Sequence, residues 1–200
     1  MKLVLASKNE KKLKEMNEIL SALGVEVCLQ ADVGVDVDVE ETGSTFEENS
    51  LLKAKAVMEA SGLPAVADDS GLCVDALNGA PGVYSARYGG EELDDAGRNK
   101  LLLSSMPKGA TRTAKFVSVI TCCFPGGDVL TARGECPGTI AFVPMGEGGF
   151  GYDPVFFQPK LKKTFAQLSP EDKNAISHRG KALEAFAEKL AEYIRNKDKI

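Results

Sequence analysis

The residues able to do chemistry gather in a few stretches. Ser7-Lys8-Asn9-Glu10-Lys11-Lys12 packs a hydroxyl, an amide and three lysines into six positions. An acidic tract holds Asp32, Asp36, Asp38, Glu40 and Glu41, and Lys53 is the first basic residue after it. Asp68-Asp69-Ser70-Gly71 ends the apolar run Ala65-Val66-Ala67. Further on lie Gly146-Glu147-Gly148-Gly149-Phe150-Gly151-Tyr152-Asp153, then Lys173, then Ser177-His178-Arg179. Lysines near a helix start suit an anion. Mg²⁺ takes one or two carboxylates and completes its shell with phosphate oxygens and water, so Glu40, Glu41 and Asp69 are candidates to hold it. Phe150 and Tyr152 offer flat faces to a base, and the Lys173, His178 and Arg179 set can hydrogen-bond a polar ligand. Together the groups suit a substrate carrying both phosphate and base, a nucleotide, and metal-assisted hydrolysis with a carboxylate base is the simplest reaction for them.

Those side chains need elements to hold them. Lys2 to Ala6 reads as a strand, followed by a polar loop and a helix with Leu13, Met16, Leu20 and Leu23 at helical spacing and Gly24 at its end. Free N–H groups at such a helix start form an anion site. Lys8, Lys11 and Lys12 oppose the dipole there, a conflict that a bound anion resolves; the plain alternative is a solvated basic turn. Val25, Val27 and Leu29 alternate as a second strand. The acidic tract is a solvated loop for most of its length. Thr45 and Glu48 form a capping box for a helix ending near Ser61-Gly62. On that helix Lys53 either snorkels to solvent or faces phosphate.

Ala65 to Ala67 is a short buried strand that ends in Asp68 and Asp69, which point to opposite faces; otherwise the pair begins a turn. Leu72-Cys73-Val74 continues as a strand, and Asn78 to Gly82 has strong turn chemistry. Asp94 to Ser105 is a helix with Leu101, Leu102 and Leu103 inward. Thr113 to Phe124 and Val129 to Cys136 form a hairpin about Pro125-Gly126-Gly127-Asp128, so the sheet is mixed. Gly146 to Gly151 matches G-x-G-x-x-G, but Pro154 and aromatics follow where a dinucleotide fingerprint needs a helix, so it reads as a loop. Ser169-Pro170 starts another helix, and Leu183, Phe186, Leu190 and Ile194 stripe the last one.

The totals fit an α/β chain of one domain: 200 residues, 44% hydrophobic, 26% charged. A net charge of −5 argues against nucleic acid as a main partner, while local lysines still allow a phosphorylated small molecule. Five cysteines without a C-x-x-C read as reduced and buried, and no stretch has signal-peptide or transmembrane length, so a cytoplasmic protein with no membrane partner is expected. The chain has no Walker lysine motif, no D-x-D and no identifiable Ser–His–Asp set. A nucleotide sensor without turnover, or a phosphatase releasing orthophosphate, could use the same residues.

The chain resembles the inosine triphosphate pyrophosphatase (Ham1-like, noncanonical purine NTP pyrophosphatase) family almost end to end. The carriers are Ala6 to Lys12, Glu41-Thr42-Gly43, Phe46 with Glu48-Asn49 and Lys53, Ala67 to Leu72, Gly79 to Tyr88, Gly148 to Pro154 and Ser177 to Leu183. The resemblance implies a two-lobed α/β fold with a long mixed sheet flanked by helices, a central cleft and a homodimer. It implies Mg²⁺-dependent hydrolysis of ITP, dITP and XTP to the monophosphate and pyrophosphate, which keeps these nucleotides out of DNA and RNA. By position, Ser7, Lys8, Asn9, Glu10, Lys11 and Lys12 hold the triphosphate, with Lys53 also on phosphate. Glu41, with or without Glu40, and Asp69 hold the metal. Asp69 accepts the water's proton, and Ser70 contacts substrate. Phe150, Gly151, Tyr152, Asp153, Lys173, His178 and Arg179 form the base and sugar side, where Arg179 is the candidate donor to a 6-oxo purine. Ser7 stands where many members have Thr, and Lys8 where some have Gly or Thr.

Overall fold

The computed structural model describes residues 1–197. Its strands are β1 (Lys2–Leu5), β2 (Glu26–Leu29), β3 (Ala65–Val74), β4 (Thr113–Cys123), β5 (Val129–Ile140), β6 (Phe156–Gln158) and β7 (Lys163–Thr164). Its α-helices are α1 (Glu10–Leu20), α2 (Phe46–Ser61), α3 (Asp95–Ser105), α4 (Pro170–Ile176) and α5 (His178–Lys197). The strands form one sheet in the order β2-β1-β3-β4-β5-β6-β7. β1 runs parallel to both β2 and β3, while β6 runs antiparallel to β5 and β7, so the sheet is mixed and helix-flanked, as the sequence predicts. The chain divides into two compact units, and the breaks fall inside β3, β4, β5 and α5.

The first unit comprises residues 1–69, 118–134 and the chain from Lys181. Its core joins Leu3 and Leu5 of β1, Met16 and Leu20 of α1, and Leu183, Phe186 and Leu190 of α5. Helical spacing puts those three α5 residues on one face, which is what buries them. Asn9 caps α1, with its side chain accepting from the backbone N–H of Lys11 and Lys12. The helix ends one turn earlier than Leu23, in a short 3₁₀ turn closed by Gly24 at φ +67°, and Leu23 stays exposed. Helix α2 matches its sequence signals at both ends: Thr45 and Glu48 form the capping box, and Gly62 closes it with a left-handed φ of +66°. A buried hydroxyl contact, Ser50 Oγ to Thr121 Oγ1 at 2.7 Å, pins α2 to β4.

The second unit comprises residues 70–117 and 135–180. Phe116, Phe156 and Phe165 pack at its centre, with Phe116 and Phe156 centroids 4.5 Å apart and Phe156 and Phe165 4.8 Å apart, edge to face. Leu72, Leu102, Ile140 and Tyr152 surround them. Of the three leucines expected inward on α3 only Leu102 is fully buried, because three consecutive residues span most of a helical turn and cannot all face one core. β5 runs to Ile140, four residues beyond the expected Cys136, since β6 pairs with its last two positions. Gly146 to Gly151 forms a loop with no helix after it. Ser177 ends α4, and α5 opens at His178.

Of the two readings of Asp68-Asp69, the strand holds and the turn is corrected. Strand β3 runs straight through Asp68, Asp69 and Ser70 to Val74. Partners in other segments hold that stretch extended: Ser118 Oγ donates to Asp68 Oδ1 at 3.1 Å, and Lys12 Nζ donates to the Asp68 carbonyl at 3.0 Å. Local turn propensity loses to these long-range contacts.

Candidate active site

In the first unit the chemistry converges on Lys53. Helix α2 carries its ammonium to Glu41 Oε1 at 2.6 Å and Asp69 Oδ1 at 2.7 Å. It also reaches the Asp68 carbonyl at 3.4 Å. Lys12 meets the same carbonyl from α1 and lies 3.8 Å from Asp68 Oδ2. Two cations, three acidic side chains and one peptide oxygen are thus gathered from four segments of the chain. Asp68 and Asp69 do divide their work as alternation along a strand requires: Asp68 bonds Ser118, and Asp69 bonds Lys53.

The electrostatics follow from burial. Burial penalises the Lys53 ammonium, but Asp69 and Glu41 outweigh it and hold the pKa above the ordinary lysine value. Burial pushes the Asp69 carboxyl above the usual range; Lys53 opposes that rise and the negative Glu41 adds to it. Lys53 occupies Oδ1 of Asp69, whereas Oδ2 is buried without a hydrogen-bond partner. An unpaired buried carboxylate oxygen is costly unless something binds it. The donors present are hard oxygens, as Mg²⁺ requires. No cluster of three or more His, Cys, Asp or Glu is set to hold a metal among the described residues. Two carboxylates, Glu41 and Asp69, are nevertheless enough when phosphate and water complete the shell. Glu40 is exposed, and it is Glu41 that reaches Lys53. A cavity of about 320 Å³ opens beside this set, lined by Ser7, Lys8, Gln30, Asp38, Glu41 and Lys53.

The loop bearing Glu41 is clamped to the first turn of α2. Asn49 Oδ1 accepts from Gly43 N at 2.8 Å, and Glu48 Oε2 accepts from Ser44 N at 2.6 Å. A Cβ on Gly43 would lie 2.6 Å from Asn49 Oδ1, so only glycine allows this close approach. Asn49 and Lys53 are one helical turn apart, so one face of α2 grips both Gly43 and Glu41.

At the start of α1 the predicted anion site is partly closed. The N–H groups of Lys11 and Lys12 are taken by Asn9 Oδ1, and Asn9 N donates to Ser7 Oγ at 3.1 Å. Lys8 is exposed and pairs with Asp36 at 2.9 Å, and Glu10 and Lys11 are exposed. Lysine side chains, more than free backbone donors, therefore supply the positive charge here.

In the second unit a different set assembles around Phe150. The Lys173 ammonium sits 4.5 Å from the Phe150 ring centroid, and the Arg179 guanidinium lies 5.6 Å from it. Lys173 also bonds Asp153 Oδ2 at 2.6 Å, and Phe150 N donates to the same oxygen at 2.9 Å. Burial pushes the Asp153 carboxyl up, with Lys173 opposing. His178 stacks on Phe116 at 4.6 Å, and Tyr152 Oη donates to the Ser85 carbonyl at 2.7 Å. Gly149 at φ +73° packs against Asp153, where a Cβ would collide with the carboxylate. Phe150, Asp153, Lys173 and Arg179 are thus brought together, while Tyr152 turns its hydroxyl to Ser85 and His178 packs on Phe116; Ser70 follows Asp69 on β3, half-buried. An aromatic ring edged by two cations suits a flat, electron-rich heterocycle.

A model of the Ham1 family matches residues 3–189. The chain belongs to the Ham1 family. A dITP/XTP pyrophosphatase from Haemophilus influenzae is 52% identical to it, over 94% of this chain and 98% of that protein. One from Thermus thermophilus is 50% identical, over 94% and 91%. The solved structure of a HAM1 protein from Coxiella burnetii superposes with a TM-score of 0.91 at 45% identity, covering 96% of this chain and 99% of that one. The Ham1 protein of Staphylococcus aureus gives 0.87 at 43% identity, over 98% and 100%.

Several residues of this Ham1 chain's site escape the sequence reading. Asp68 enters through its carbonyl, which no side-chain pattern announces. Asn49 is visible as one of the residues that carry the family resemblance, but its hold on Gly43 is not. Asp95 and Asn99, which bond Gly151, look like any helix start.

Proposed function

We propose that this chain is a nucleoside triphosphate pyrophosphatase. It hydrolyses ITP, dITP and XTP to the monophosphate and pyrophosphate, and so keeps noncanonical purines out of DNA and RNA. Relatives at about half identity over nearly the whole chain bear the name dITP/XTP pyrophosphatase. The observation that carries the mechanism is the ammonium of Lys53 between Asp69 and Glu41, with Asp69 Oδ2 buried and unpartnered.

The residues divide the work as follows. Lys8, Lys11, Lys12 and Lys53 neutralise the triphosphate, and Ser7, Asn9 and Glu10 complete the loop that binds it. Glu41 and Asp69 would hold Mg²⁺, which when bound supplies further positive charge against the phosphates. Asp69 takes a proton from the water that attacks the α-phosphorus, and Oδ2 is the oxygen not already engaged by Lys53. Pyrophosphate leaves once its charge is offset, so positioning and electrostatics supply most of the rate. Ser70 contacts substrate. Phe150 takes the purine face, Tyr152 backs the loop from the core through its bond to Ser85, Arg179 donates to O6, and Lys173, His178 and Asp153 fix the remaining polar edge and the sugar. A 6-amino base would meet that donor with another donor and leave buried groups unpaired, which discriminates strongly.

The whole chain acts as one bilobal domain and pairs as a homodimer in the cytoplasm. None of its five cysteines is in a disulfide, and burial raises the pKa of Cys28, Cys122 and Cys123, which keeps those three inert. No helix among the described residues is long and apolar enough to cross a membrane. The test is product analysis with ITP, XTP, ATP and GTP, with and without Mg²⁺. Pyrophosphate plus IMP or XMP is expected, only with metal, and with ATP and GTP nearly untouched. Orthophosphate and a diphosphate would refute the assigned bond.

A further inference from the structure

Helix α3 grips the loop that carries Phe150, and it does so through a single peptide group on each side of one residue. Gly151 N donates to Asp95 Oδ2 at 2.7 Å, and Asn99 Nδ2 donates to the Gly151 carbonyl at 2.9 Å. Asp95 and Asn99 are four apart on α3 and therefore share a face. The neighbours of Gly151 are tied as well, Phe150 N to Asp153 and Tyr152 Oη to Ser85. The loop needs this restraint. Glycines at 146, 148, 149 and 151 give it wide backbone freedom, and Gly151 itself sits at φ +59°. A ring that must lie flat against a ligand cannot sit on an unrestrained backbone of that kind.

Asn99 is also unexplained by helix stability. It is 4% exposed, and its Oδ1 is buried without a partner. An apolar residue of similar size would cost the helix less, because burying an unpaired amide oxygen is unfavourable. What an apolar residue could not do is donate to Gly151. Asp95 is the weaker arm, with a side chain 57% exposed and Arg98 Nη1 3.8 Å from its other oxygen.

We propose that Asp95 and Asn99 are positioning residues that set the lie of the Phe150 ring, and through it affinity and selectivity for the purine. The proposal rests on the reading of Phe150 as the base platform. The experiment compares steady-state kinetics on ITP and ATP for the Mg²⁺-loaded enzyme and its N99D, N99A, D95A, D95N and F150A variants. Inhibition by inorganic tripolyphosphate, which has no base, reports the phosphate side, and the melting temperature reports the fold. N99D keeps size but cannot donate, so it should raise KM for ITP about tenfold, the worth of one lost buried hydrogen bond with some repulsion. In the same variant kcat and tripolyphosphate inhibition should hold, and the preference for ITP over ATP should fall. D95A should show a smaller rise that fades with added salt, since the Asp95 carboxylate is exposed. D95N, which can still accept, should recover most of it. If F150A raises KM while N99D, N99A and D95A do not, the positioning role is wrong. If F150A leaves KM unchanged, the platform reading is wrong and the proposal goes with it. Equal losses of ITP and tripolyphosphate affinity in N99D would mean general distortion and would also overturn the proposal; D95A, on the exposed arm, decides the matter if the Asn99 variants do not fold.

Discussion

Replacing Asp69 by Asn is expected to lower turnover of ITP by about 10³-fold or more, within the range a positioned general base supplies, while nucleotide binding persists. Asn matches Asp in shape, and its Oδ1 can still accept from Lys53, so the ion-pair geometry has a neutral substitute. The proton acceptor is what disappears. Calorimetric titration of D69N with ITP should give a binding isotherm close to that of the unmodified enzyme with a slowly hydrolysed analogue. The fold should survive too. Burial raises the folded-state pKa of Asp69, so at neutral pH its charged form works against folding and removing that charge costs little. Full turnover in D69N would remove Asp69 from the mechanism.

Lys53→Met should be the most damaging single change to stability at this site. It leaves Asp69, and beside it Glu41, without the ammonium that neutralises them. Breaking a buried pair by removing one partner costs about 3–5 kcal/mol, and the side chains here are between 7% and 21% exposed, so most of that cost applies. The sign of the pH dependence follows. Without Lys53 the chief influence lowering the Asp69 pKa is gone, so a value already raised by burial rises further. A carboxyl with a raised folded pKa is favourable when protonated, and that contribution is lost as pH rises through the folded value. Denaturant unfolding of metal-free K53M should therefore show a penalty that is small in acid and grows toward neutral pH. A penalty that does not change with pH would mean the loss is one of packing alone. In the double variant K53M/D69N the penalty should shrink, because the stranded charge at Asp69 is gone.

Local signals located the elements well and the contacts between them poorly. Thr45, Glu48 and Gly62 marked both ends of α2, because caps are short-range chemistry. The α5 stripe placed Leu183, Phe186 and Leu190 in the core for a similar reason. Periodicity could not decide whether Lys53 snorkels or works, since its partners Glu41 and Asp69 lie 12 and 16 residues away. The same limit hid the length of β3: Asp-Asp-Ser reads as a turn until Ser118 and Lys12 arrive from distant segments. The N–H groups at the start of α1 read as free in the sequence, whereas Asn9 closes two of them. The grip of Asp95 and Asn99 on Gly151 spans more than fifty residues of chain and leaves no local trace. The residue types gathered at these positions were thus visible in the sequence, while their contacts were set by the fold.

The measurement that tests the account most directly is hydrolysis of ITP in H₂¹⁸O, with each product weighed by mass spectrometry. Water activated by Asp69 is held to attack the α-phosphorus, so the heavy oxygen should appear in IMP and be absent from pyrophosphate. Label in pyrophosphate would place the attack on the β-phosphorus and contradict the assignment of this site.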